Sequence, residues 1–108
     1  MSESCAMNND YWRELEEWRG RIDEIDRQMV VLLCQRLRFA GNISAVKSKI
    51  GETVLQPERE KEVFSNVLSQ TDSPVMRLAL ERIYHCILNE SRQFQEECKA
   101  EQQNTAHR

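Results

Sequence analysis

Arg36 and Lys47 stand where a helix should be apolar. The stretch LLCQRLRFAGNISAVK, residues 32–47, reads as the middle of a long amphipathic helix. Both cations fall on the stripe set by Met29, Leu33, Ala40 and Ile43. At 100° and 1.5 Å per residue they are separated by about 20° around the axis and about 16 Å along it. Two long basic side chains placed in this way can lean into one cavity. Burying a cation with no partner costs several kcal/mol, so the cavity is expected to take an anion.

The same displacement of polarity recurs further on. Glu60 precedes Val63 and Val67 at steps of three and four, with Arg59 beside it. The stripe Leu80, Tyr84, Ile87 continues into Ser91 and Gln95. Together these residues would line a pocket with three cations, a carboxylate, a hydroxyl and an amide. Each has a plainer reading taken singly. Arg36 can snorkel or join a dimer salt bridge. Lys47 can be solvated near a helix end, and Arg59 and Glu60 can be a first-turn surface pair. Ser91 can be a tolerated small residue, and Gln95 the end of its stripe. Periodicity alone therefore supports an anion-binding helical protein and leaves the chemistry open.

Three helices are needed to position these groups, and the pattern predicts an all-α protomer with one very long N-terminal helix. Three glycines and two prolines in 108 residues leave few breakers, and Glu, Gln, Arg, Leu and Lys favour helix. The first helix is predicted from caps at Asn9 or Asp10 to Ile50. Leu15, Trp18, Ile22, Ile25, Met29, Leu32, Leu33, Ala40, Ile43, Val46 and Ile50 recur almost always at steps of three or four. Gly51 is the expected stop. Pro57 suits the first position of the second helix, after Gln56. The turn QTDSP, 70–74, leads into the third helix, with Ser73 as cap and Pro74 as first residue. That helix is expected to run to about Cys98. Residues 1–9 read as a disordered lead, 10–99 as the helical domain and 100–108 as a frayed tail.

Composition narrows the function classes. A formal charge of −3 does not suggest a nucleic-acid binder. The start of the chain has no basic region followed by an apolar run, so no secretory signal is visible, and no stretch of roughly 18 apolar residues suggests a membrane span. Cys5, Cys34, Cys86 and Cys98 form no C-x-x-C pair. Cys34 and Cys86 are expected as reduced thiols in or near the core, which fits a cytoplasmic protein. The chain length suits a single domain. A first helix of about 40 residues would be about 60 Å long, against a radius of gyration near 13 Å for a compact domain of about 100 residues. The two shorter helices cannot cover its stripe, so an intertwined homodimer is expected, with the long helices packed together.

At this point the sequence resembles the all-helical class of chorismate mutases, over about residues 15–97. The resemblance is carried by WRGRIDEIDRQMVVLLCQR, then the Lys of AVK, then PERE, then NESRQFQ, in the family's order and spacing. It implies rearrangement of chorismate to prephenate, a pericyclic [3,3] shift needing no nucleophile, proton shuttle, metal or cofactor. It also implies the roles of the residues. Arg19, reaching in from the partner chain, and Arg36 would bind the two substrate carboxylates. Lys47 and Gln95 would donate to the ether oxygen of the breaking bond. Arg59 would add positive potential, Glu60 would hold the ring hydroxyl, and Ser91 would seat the ring carboxylate. Many relatives carry Asp three residues before the second-helix Arg, as a backbone contact and cap; here that substrate-side position is Gln56. Arg19 lies about 25 Å along the helix from Arg36 and roughly 100° around it, badly placed to serve its own chain's pocket.

Rival readings remain. Isochorismate pyruvate lyases and aminodeoxychorismate mutases use similar basic pockets, but the lyases tend to carry an apolar residue where Glu60 stands. A non-catalytic helical dimer or interaction module would be expected to break the pocket chemistry at 36, 47 or 95, and all three positions are polar. The histidines, His85 and His107, lie outside these motifs; His85 reads as the flank of the third helix.

Overall fold

A computed structural model describes the backbone of residues 2–106 and the side chains of 8–101. It contains three helices, α1 (Ser2–Ile50), α2 (Pro57–Leu68) and α3 (Pro74–Ala106), and no strand among the described residues. The inner helix ends follow local chemistry. Gly51 has φ 76°, and Glu52 N–H donates to Lys47 O at 2.8 Å, the left-handed closure that ends many helices. Pro57 opens α2 without a side-chain cap from Gln56. Ser73 Oγ accepts from Met76 N–H at 3.3 Å and caps α3, with Pro74 next. The lead expected over 1–9 and the tail expected over 100–108 fall largely outside the residues whose side chains are described, as do Cys5 and His107.

The Gly51 closure yields a first expected result. A Cβ there would meet nothing within 4 Å, so Gly51→Ala should suffer only backbone strain. A loss of about 1 kcal/mol is expected in a denaturant titration, with secondary structure unchanged.

The chain divides into two compact units, Met1–Arg36 and Leu37–Arg108. The described residues of the first are helix alone. Its periodic apolar residues do form one face, but Trp18, Ile22, Ile25, Met29 and Leu32 are all exposed. The expected buried stripe is thus present as a pattern and uncovered within one chain. Arg19–Glu16 and Arg27–Glu24 pair at spacing i,i+3, and the Arg21 guanidinium lies 4.6 Å from the Trp18 ring centroid.

The second unit joins the end of α1 to α2 and α3. Its buried apolar residues, among those described, are Ala40 and Leu88. At Gly41 the helices approach so closely that a Cβ would sit 3.4 Å from Phe94 Cε1 and 3.5 Å from Cys98 Sγ. The inward line of α1 here is Leu37, Ala40, Gly41, Ser44 and Lys47, while Ile43 and Val46, expected inside, are exposed. Small residues win this face because they admit the neighbouring helix. Phe64 of α2 packs on His85 of α3, ring centroids 4.7 Å apart.

Two expectations need correcting. Cys34 and Cys86 are free thiols but exposed rather than core, because no described element covers their helix faces. An 18-residue window of α1 reaches a mean hydropathy of 1.2, so by length and composition one helix does meet the threshold of a membrane span. That mean is an average over an amphipathic pattern: no charge-free run in α1 exceeds eight residues, at 28–35 and 39–46. A lipid-spanning helix needs about 20 predominantly apolar residues in sequence.

Candidate active site

Residues 37–101 bring five of the expected site residues into one packed region. Ser91 and Gln95 stand one turn apart on α3, 7% and 8% exposed. Ser44, 2% exposed, donates from Oγ to the Gln95 backbone carbonyl at 3.2 Å, which ties α1 to α3 at this level. Lys47, three residues after Ser44 on the same face of α1, is half-buried and donates from Nζ to Val54 O at 3.1 Å. Glu60, in the first turn of α2, is half-buried and pairs with Arg92 of α3. Gln56, one turn before Glu60, is half-buried.

The electrostatics are uneven. Lys47 and Lys49 occupy the last turn of α1, where the carbonyl end of the helix favours cations. Glu58 and Glu60 occupy the first turn of α2, where the amide end favours anions. A positive and a negative group thus each sit at a helix end that suits their charge. Gln95 Oε1 is buried and has no hydrogen-bond partner. A buried acceptor left without a donor costs about 1–3 kcal/mol.

The remaining expected residues have other surroundings. Arg59 is exposed and lies 3.3 Å from Glu62. Arg19 is exposed and lies 2.9 Å from Glu16. Arg36, in the first unit, is half-buried. Sequence reasoning missed Ser44 and Arg92. The signal for Ser44 was the i,i+4 spacing of small residues at Ala40 and Ser44, which marks close helix approach. Arg92 carried no signal within its own helix, because its carboxylate partner is 32 residues away on α2.

The family model described as chorismate mutase type II matches residues 18–96. Among curated proteins, the chain is 42% identical over 55 residues to the bifunctional chorismate mutase/prephenate dehydratase of Aquifex aeolicus, covering 51% of this chain and 15% of that protein. It is 33% identical over 54 residues to the chorismate mutase of Methanocaldococcus jannaschii, covering 50% of this chain and 54% of that one. Against the T-protein of Enterobacter agglomerans it is 34% identical over 53 residues, covering 49% and 14%. The matched stretch therefore spans about half of the Methanocaldococcus protein and a much smaller part of the other two. No solved structure matches the chain.

Proposed function

The chain belongs to the chorismate mutase type II family, and from that premise we propose that it catalyses the [3,3] rearrangement of chorismate to prephenate, towards phenylalanine and tyrosine, as a cytoplasmic homodimer. The observation that carries the reading is the family match, which takes in every proposed site residue from Arg19 to Gln95. The buried polar pair Ser91 and Gln95 beside the Lys47 turn supports it.

In this reading Arg36 and the partner chain's Arg19 bind the two carboxylates and Arg59 adds positive potential. Ser91 seats the ring carboxylate. Glu60 accepts from the ring hydroxyl, with Gln56 at the N-cap position just before α2. Holding a flexible dianion in its compact diaxial conformer removes much of the entropic barrier. Lys47 Nζ and the Gln95 amide donate to the ether oxygen, where negative charge grows as the C–O bond breaks. The reaction exchanges one C–O bond for one C–C bond within the substrate, so the residues need to bind, orient and stabilise charge.

The uncovered face of α1 supports the dimer. Fully burying one large apolar side chain contributes roughly 1.5–3 kcal/mol, and Trp18, Ile22, Ile25, Met29 and Leu32 are all available. Two buried apolar residues, Ala40 and Leu88, make a slight core for the described chain. A second copy supplies a matching stripe.

The test is incubation of the purified protein with chorismate and, separately, isochorismate, with products separated by chromatography and mass measured by sedimentation. Prephenate from chorismate, made by a dimer, is the expected result. Pyruvate release from isochorismate alone would instead identify a lyase. Turnover by a strict monomer would overturn the shared site.

A further inference from the structure

Arg92 stands between Ser91 and Gln95 on α3, yet points along a different line of the helix, about 100° from the first and about 60° from the second. Its guanidinium is held at both ends. Nη1 donates to Glu60 Oε2 on α2, and Nη2 donates to Asn89 Oδ1 on its own helix. The Arg92 and Glu60 side chains are 30% and 24% exposed. Arg19–Glu16, Arg27–Glu24, Arg59–Glu62 and Lys61–Glu58 are different in kind: each joins neighbours three apart on one helix, with both side chains well exposed. The Arg92 pair joins two helices in a partly desolvated place, where charge-assisted hydrogen bonds are strong and directional.

We propose that Arg92 is a positioning residue for Glu60. By engaging Oε2 it turns the carboxylate so that Oε1 faces the ring hydroxyl of the substrate. This inference rests on the reading of the reaction proposed for this chain. A carboxylate has two oxygens, each able to accept, so one can be held by the protein while the other serves the ligand. Arg92 also offsets the Glu60 charge, which would otherwise stand beside a dianion and repel it. Both effects act on the bound substrate as much as on the transition state, since the ring hydroxyl does not change its bonding in the rearrangement. The signature is therefore in KM more than in kcat.

The experiment is a double-mutant cycle on the full chain, with steady-state kinetics and thermal melting for every variant. Arg92→Ala is expected to raise KM about tenfold and to change kcat less than about threefold. Glu60→Gln is expected to raise KM by a similar factor. The double variant should be no worse than the weaker single, because both substitutions break one unit. Arg92→Lys keeps the charge but lacks the planar fork, and should recover part of the loss. If Arg92→Ala does not fold, Asn89→Ala and Arg92→Lys carry the test, each expected to raise KM about threefold with kcat near wild type. Losses that multiply in the double variant, or a wild-type KM in the folded single variants, would overturn the positioning role while leaving the reaction intact. A wild-type protein that makes no prephenate would overturn the reaction itself and this inference with it.

Discussion

Truncating Lys47 to alanine is expected to lower kcat by about 10²–10³-fold, with the fold retained. The two halves of this expectation rest on different atoms. The ammonium group is the cation proposed to meet the ether oxygen. It is half-buried and reaches a backbone carbonyl, Val54 O, at 3.1 Å, so removing it costs about 1 kcal/mol of stability. The helix stop depends on a different part of the residue. The Lys47 carbonyl accepts Glu52 N–H at 2.8 Å, and alanine keeps that carbonyl. Melting should therefore shift by only a few degrees while turnover collapses. Negative charge on the ether oxygen is far larger in the transition state than in the substrate, so the loss should appear in kcat rather than KM. Following chorismate disappearance under saturating substrate tests this directly. A variant with near wild-type kcat would remove Lys47 from the charge-stabilising role.

The ends of the helices were legible because local residues set them. Pro57, Ser73 with Pro74, and Gly51 each act through backbone geometry or a single hydrogen bond, and nothing distant is needed to read them. The start of α1 was not legible in this way, nor was the end of α3, expected at about Cys98 and found at Ala106. Asn9 and Asp10 are good caps, yet α1 runs on to Ser2, since a capping side chain permits an end without forcing one. No proline or glycine precedes Gly20 to force it.

Inward and outward faces were legible only in part. On α3 the stripe Tyr84, Ile87, Ser91, Gln95 lies inward as periodicity predicts. On α1 the pattern named Ala40 together with Ile43 and Val46; packing kept Ala40 but set Gly41 and Ser44 inside in place of the other two. Hydrophobicity ranks residues by their gain on burial, but a close helix crossing selects by size. The exposed Cys34 and Cys86 mark the same limit, because periodicity names a face and says nothing about what covers it. Arg92 shows a further one. Its role depends on a carboxylate on another helix, and pairing across helices leaves no trace in the spacing along one.

Mixing two inactive variants is expected to restore about a quarter of wild-type activity. Arg19→Ala should lose a carboxylate contact, and Lys47→Ala a donor at the ether oxygen, so each homodimer has two defective sites. If Arg19 serves the opposite chain, the mixed dimer places both substitutions in one site and leaves the other whole. Random reassortment of equal amounts makes about half of the dimers mixed, each with one working site of two, hence the quarter. Arg19 is well suited to change partners. Its guanidinium is exposed and pairs with Glu16 at 2.9 Å across one turn of its own helix, an arrangement worth about 0–1 kcal/mol. A substrate carboxylate in a desolvated site outbids it easily. The exchange must be driven through separated chains, by mild denaturant followed by dilution, because an apolar interface along α1 would dissociate slowly. Activity that stays at the mean of the two variants, although native mass spectrometry resolves mixed dimers, would place Arg19 in its own chain's site. The shared pocket would then have to be abandoned even if the protein makes prephenate.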